Sequence, residues 1–273
     1  MFRTIFIGVC LCLLLAKDVV AQLRDWEDCA ARNAEIAISG CTKIIESGQE
    51  TQSKLAAAYQ FRGVALRRQA NYDRALADLD KAIELNPGSA EMYKDRALVH
   101  KRKGDYARVI MDYTEALRLT PGDAATHRRR GDAYKRMGRL EKAIADYNTA
   151  ITLNPKDAWA YGNRGNAYKR RDDLDQAMAD FNKAISLRPD LANGYLYRGN
   201  IHYYKDQFDL ALADLNKAIM IDPKLAPAYN NRALVYEKLG RSAQAIDDFR
   251  AAITLQPDDD VAKQGLKRLG GTL

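Results

Sequence analysis

Residues 158–191 read AWAYGNRGNAYKRRDDLDQAMADFNKAISLRPDL, from Ala158 to Leu191. Tyr161, Gly165 and Tyr168 recur at three- and four-residue steps, which marks one face of a first helix. Ala177, Phe181, Ala184, Ile185 and Leu187 mark the face of a second. The small residues Gly165, Ala177 and Ala184 let the two helices approach closely, and the aromatic rings fill the space beside them. Arg170 to Asp173 form a polar turn between the helices. Pro189 cannot continue the second helix, because its ring clashes with the preceding turn and it lacks an N–H. One such pair cannot bury both of its faces, so it must stack on others.

The others are present. Pro87, Pro121, Pro155, Pro189, Pro223 and Pro257 are spaced 34 residues apart, and only Pro227 falls off the frame. Ala stands five residues before each frame proline, from Ala82 to Ala252. Asp stands nine before, at Asp78, Asp112, Asp146, Asp180, Asp214 and Asp248. Gly or Ala stands twenty-four before, at Gly63, Ala97, Gly131, Gly165, Gly199 and Ala233. A fixed period of this length marks a repeat architecture.

With Trp159, Tyr161, Gly165, Tyr168, Leu174, Ala177, Phe181, Ala184 and Pro189 in place, the unit resembles the tetratricopeptide repeat. The resemblance runs through 56–259 without insertion. It implies an all-α protein, an α-α superhelix of six helix–turn–helix repeats (56–89, 90–123, 124–157, 158–191, 192–225 and 226–259) with a concave groove and capping helices. Residues 260–273 are expected to cap the C-terminal end, with Val261, Leu266 and Leu269 covering the last repeat and Lys263, Lys267 and Arg268 in water. Residues 22–55 are expected to form a degenerate half-repeat. Ala37, Cys41, Ile44 and Ile45 echo a second helix there, and the first is abbreviated around Trp26–Asn33.

Residues 1–21 read as a secretory signal peptide: Arg3, an apolar run from Ile5 to Ala16, and small residues at Val19-Val20-Ala21. The run is too short to span a bilayer comfortably. Export to the periplasm or medium is therefore expected, with no membrane span after cleavage. In such a compartment Cys29 and Cys41 are expected to pair.

The chain has 273 residues, 47% hydrophobic and 29% charged, with a formal charge of +7. This balance excludes a disordered or collagen-like chain. The charge permits an acidic partner without requiring one. His100, His127 and His202 read as core residues, and no Cys or Asp lies at metal-ligand spacing from them. No phosphate loop, dinucleotide fingerprint, zinc-protease motif or nucleophile elbow occurs. The repeats leave no room for a catalytic domain, so neither enzyme activity nor a cofactor or metal is expected.

Two arrays call for chemistry. Arg62, Arg96, Arg130, Arg164, Arg198 and Arg232 stand twenty-five residues before the frame prolines, where the resembled family most often has a packing Leu. They lie beside the Gly/Ala contact, and the Asp of the second helix is the natural partner. An internal Arg–Asp ladder is expected, since a bidentate carboxylate makes a buried guanidinium tolerable. Phosphate contact is the competing reading.

The second array is the groove that the resemblance implies, lined by first-helix positions away from the packing face. Arg67, Lys94, Lys101, Arg128, Arg129, Lys135, Arg136, Lys169 and Arg170 make its early part basic. Leu196, Tyr197, Asn200, Tyr203 and Tyr204 make the fifth repeat aromatic, and Asn230, Asn231 and Glu237 follow. Lys101, Lys135 and Lys169 stand in last turns, where the helix dipole favours cations; Lys94, Arg128 and Arg129 stand in early turns, where it does not. Asn163, Asn166, Asn200 and Asn231 offer both donor and acceptor to a peptide backbone. Trp159 stands at the groove edge. The chaperone-binding members' terminal-carboxylate clamp is not matched: Tyr197 and Pro227 break the set that begins at Asn166.

The expected function is a non-catalytic protein-interaction scaffold of the periplasm or cell envelope, holding a peptide or partner protein in the groove. The alternative is a binder of anionic polymer, envelope polysaccharide before nucleic acid. A structural part that stacks end to end is the third reading, and the C-terminal cap argues against it.

Overall fold

The computed structural model describes residues 22–272, and the expected signal peptide at 1–21 lies outside the described residues. Among the described residues there are fifteen helices and no strand. The short α1 covers 22–29. After it come α2 (Ala34–Ser47), α3 (Gln52–Arg68), α4 (Tyr72–Leu85), α5 (Ala90–Arg102), α6 (Tyr106–Leu119) and α7 (Ala124–Arg136). Then follow α8 (Leu140–Leu153), α9 (Ala158–Arg170), α10 (Leu174–Leu187), α11 (Ala192–Tyr204), α12 (Phe208–Ile221), α13 (Ala226–Lys238), α14 (Ser242–Leu255) and α15 (Asp260–Arg268). The chain divides into two compact units, one ending at Met137 and one beginning at Gly138, so the division falls in the turn of the third repeat.

In each unit a first helix packs on its own second helix and on the second helix of the preceding repeat: α9 on α10 and α8, α11 on α12 and α10. First helices also touch their successors, α3 with α5, α9 with α11 and α11 with α13. They therefore form the inner layer of each stack. The packing is set by one position per repeat. Leu79, Tyr113, Tyr147, Phe181, Leu215 and Phe249 are all within 1% of complete burial. Burying a side chain of this size contributes roughly 1.5–3 kcal/mol. Gly165 explains how the ring fits, because a Cβ there would lie 2.9 Å from the Phe181 ring.

The punctuation is local chemistry. Each second helix ends before its proline, and the residue before the proline is extended, as at Arg188 (φ −145°, ψ 86°). Proline disfavours helical backbone at the residue before it. The turn between the paired helices requires a left-handed residue, found at Ala70, Gly104, Gly138, Asp172, Asp206 and Gly240. Glycine takes this conformation freely and Asp tolerates it, whereas Ala70 holds it at a steric cost.

The arginine array is internal. Arg164 donates from Nε and Nη2 to Asp180 at 2.8 and 2.7 Å, and from Nη1 to Asn148 of α8 at 2.6 Å. Arg198 repeats this with Asp214 and Asn182, and Arg232 with Asp248 and Asn216. In the first unit Arg62 holds Asp78 and Thr42, and Arg96 holds Asp112 and Asp80. Arg130 donates to Thr114 of α6; Asp146 belongs to the second unit. Each guanidinium thus reaches back to the helix of the previous repeat. Arg62, Arg96, Arg164, Arg198 and Arg232 also reach forward to a carboxylate of their own repeat. Stacked tyrosines add a cation–π contact, as Tyr161 and Tyr168 do around Arg164.

At the N-terminal end Cys29 and Cys41 are joined by a disulfide between α1 and α2. The helices cross closely at Gly40, where a Cβ would lie 2.6 Å from the Cys29 nitrogen. Trp26 Nε1 donates to Glu50 at 2.8 Å. Helix α3 starts at Gln52, inside the stretch expected to belong to the half-repeat, because Thr51 caps it. At the other end α15 packs on α14 and α13 as a further first helix would. Ala262 and Leu266 cover the last repeat. Val261 does not: it is 54% exposed. Arg268 is not simply in water, since it grips both oxygens of Glu237 at 2.6 Å.

Candidate functional site

The inner face of the second unit is built by α9, α11 and α13. Asp157 starts α9 by accepting from the Trp159 and Ala160 amides. The cap sets Trp159 at the helix's first turn, 42% exposed, with the Arg188 guanidinium 5.2 Å from its ring centre. Beside it opens a cleft lined by Trp159, Gly162, Asn163, Leu191, Asn193, Gly194 and Tyr197. Gly162 keeps the cleft open. The equivalent positions, 34 residues apart, carry Gln60, Lys94, Arg128, Leu196 and Asn230. Comparing the repeats at that position is the signal that would have revealed it; reading each helix face alone missed it.

Tyr197 is half-buried, its ring 5.6 Å from that of Phe181. On its other flank stands Lys169, 5.4 Å from the ring centre, with Nζ donating to Asn200 Oδ1 at 3.4 Å. Burial pushes the Lys169 ammonium below its ordinary range. Asn166 and Asn231 lie half-buried on the same layer.

Two expectations change here. Leu196 is not a groove residue: it is 3% exposed and packs with Leu215, Ala228 and Val235. Of the three tyrosines expected in the groove, Tyr197, Tyr203 and Tyr204, Tyr204 alone is largely exposed, at 63%, whereas Tyr203 leans on Phe208 and Tyr204.

In the first unit two cations of the basic run, Lys94 and Lys135, stand beside carboxylates. Lys94 is pinned between Glu91 and Asp123, 3.0 Å from the latter, although it stands in an early turn. Burial opposes its charge, but the two carboxylates outweigh this and hold the ammonium above its usual range. Asp123 also caps α7 through Thr126. Lys135 lies 3.9 Å from Asp132. Arg128 is half-buried and Arg129 exposed on α7. Gln60 donates to Asp95 at 2.7 Å, and burial raises the Asp95 carboxyl above its ordinary range. The sequence reading passed over this pair.

The histidines differ among themselves. His100 is buried 3.9 Å from Asp112, and burial lowers its imidazole below the usual range. His127 and His202 are half-buried, and His202 Nε2 lies 3.8 Å from Asp214. His127 Nε2 bonds the Pro121 carbonyl at 3.1 Å, and His202 Nδ1 bonds Gln207 at 2.7 Å. Among the described residues no group of three His, Cys, Asp or Glu side chains stands close enough to hold a metal ion. No described helix is long and apolar enough to cross a membrane.

Family models described as TPR repeat or tetratricopeptide repeat match residues 62–124, 131–172, 158–191 and 199–269. The chain belongs to the tetratricopeptide repeat family. Solved structures agree on the fold. A tetratricopeptide repeat protein from Parabacteroides merdae is 20% identical, with a TM-score of 0.73, over 92% of this chain and 98% of that one. A chain of the APC/C hetero-tetramer Cut9–Hcn1 is 17% identical, with a TM-score of 0.69, over 92% of this chain and 51% of its own, so the present chain spans about half its length. YrrB, described as a TPR protein with an unusual peptide-binding site, is 21% identical with a TM-score of 0.52, over 69% of this chain and 97% of that one. No curated protein matches the sequence.

Proposed function

We propose that this tetratricopeptide repeat protein is a non-catalytic scaffold that holds an extended segment of a partner protein against the inner face of its first helices, in the periplasm or cell envelope. The observation that carries the reading is the cleft between Trp159 and Tyr197, an aromatic niche edged by the amides of Asn163 and Asn193. Aromatic walls supply contact area, and amides meet both donors and acceptors of a peptide backbone. YrrB's printed description, a peptide-binding site on the same kind of repeat, supports it by analogy. The leader-like segment at 1–21 and the Cys29–Cys41 bridge support the location.

The anionic-polymer reading is weaker. Lys94 is matched by Glu91 and Asp123, and the arginine array is turned inward onto carboxylates. A polymer site needs cations free to displace counterions.

Photo-crosslinking tests the proposal. A benzophenone amino acid at Asn166, on the inner face, is expected to capture a defined partner segment in envelope extract. The same group at Met220, exposed on α12, is expected to capture none of it. Identical adducts from both positions, or none from Asn166, would overturn the reading.

A further inference from the structure

Lys169 has an unusual standing among the cations near the inner face. It is half-buried on α9, where burial alone governs its ionisation, and among the described residues no carboxylate lies within ion-pair distance of it. Its contacts are the Asn200 amide oxygen at 3.4 Å and the Tyr197 ring at 5.4 Å. The comparison with Lys94 is direct. Lys94 is likewise sheltered, yet it has two carboxylate partners within the chain. A sheltered ammonium without a counter-charge is costly, and an anion delivered from outside relieves that cost.

The same Tyr197 ring walls the cleft with Trp159, Gly162 and Leu191. An apolar niche and an unmatched cation therefore flank one ring. In an extended chain, side chains on one side recur every second residue, about 6.6 Å apart. That step is of the same order as the 5.4 Å between Lys169 Nζ and the centre of the Tyr197 ring that walls the niche.

We propose that the α9–α11 face selects a partner segment with an apolar side chain and a carboxylate two residues apart, the first entering the Trp159–Tyr197 cleft and the second pairing with Lys169. The proposal rests on the peptide-scaffold reading above and names the chemistry of its ligand. Charge complementarity fixes the acid, and the cleft's lining fixes the apolar neighbour.

The test uses acetylated, amidated and fluorescein-labelled peptides, Gly-Ser-Leu-Ser-Glu-Ser-Gly and its reversed order Gly-Ser-Glu-Ser-Leu-Ser-Gly, each beside its Glu→Gln twin. Binding to the full protein is read by fluorescence anisotropy. One order is expected to bind, with its Gln twin weaker by about tenfold. Lys169→Met is expected to erase the Glu–Gln difference. Gly162→Leu is expected to block both peptides by filling the cleft while keeping the fold. A Cβ at Gly162 meets nothing nearer than 3.9 Å, and a helix gains propensity when glycine is replaced. Equal binding of the Glu and Gln peptides overturns the acid assignment and leaves the scaffold reading standing. No binding of either order at about 1 mM overturns this inference; the crosslink at Asn166 then decides the broader reading separately.

Discussion

Arg164 and Asp180 meet through two parallel hydrogen bonds of 2.8 and 2.7 Å, and the third arm of the guanidinium crosses to Asn148 of the preceding repeat. The pair is part-buried, with 19% and 6% of the two side chains exposed. Removing one partner strands the other. Asp180→Ala is expected to destabilise by about 3–5 kcal/mol, whereas Arg164→Leu together with Asp180→Leu restores most of that loss. Urea midpoints of the two variants check it. A double variant as unstable as Asp180→Ala would show that the pair itself, not the stranded charge, carries the stability.

The bridge between Cys29 and Cys41 closes a short loop under a cap with a small core of Cys29, Cys41, Ile44 and Ala58. Constraining a loop of this size is worth about 3 kcal/mol in the chain-entropy account. Because repeat stability is carried by nearest neighbours, the loss stays local. Cys29→Ser with Cys41→Ser is expected to remove amide-exchange protection from α1 and α2 and leave α9 to α14 protected. Uniform loss of protection would contradict this.

At the opposite end Gly265 faces the buried Phe249 ring. A Cβ there would lie 2.3 Å from it, and the ring is fully enclosed. Overpacking of this kind costs about 1–3 kcal/mol. Gly265→Ala is expected to undock α15, seen as lost exchange protection over Asp260–Arg268. Val261→Ala, at an exposed position, is expected to change stability by less than about 0.5 kcal/mol.

Much of this molecule could be read from one strand of text. The 34-residue frame places the six helix pairs from α3 to α14, and the Asp, Arg, Gly/Ala and proline positions carry their packing roles with them. What escaped depended on side chains meeting across repeats. Lys94 reads as a free groove cation until Asp123, which caps the first helix of the next repeat, lies against it. Leu196 reads as exposed until Ala228 and Val235 of α13 cover it. The Trp159 cleft depends on what Gly162 lacks, and a missing side chain gives no signal within a single helix face. Periodicity within a helix shows which way a residue points; its neighbour's identity belongs to another repeat.

Asp95 gives a pH dependence whose sign can be worked out. Burial, the leading cause, raises its carboxyl above the ordinary aspartate value of 3.8, and the hydrogen bond from Gln60 and the charge of Arg67 oppose the rise without cancelling it. The folded state therefore holds this proton more tightly than the unfolded state does. Where the native state binds more protons, stability falls as pH rises. The contribution is present in full below 3.8 and is lost as pH climbs through the raised folded value. Asp95→Asn removes the titration and keeps an acceptor for Gln60, whose bond to Asp95 is 2.7 Å. Other carboxylates titrate in the same range, so the informative quantity is the difference between variant and wild type. That difference is expected to shift in favour of Asp95→Asn as pH rises from about 4 towards 7, then level off, because only the wild type must ionise a buried group. Urea unfolding of both proteins at stepped pH measures it. A difference that stays flat across the range would show that Asp95 ionises without cost, and that Arg67 and the surrounding solvent compensate its burial in full.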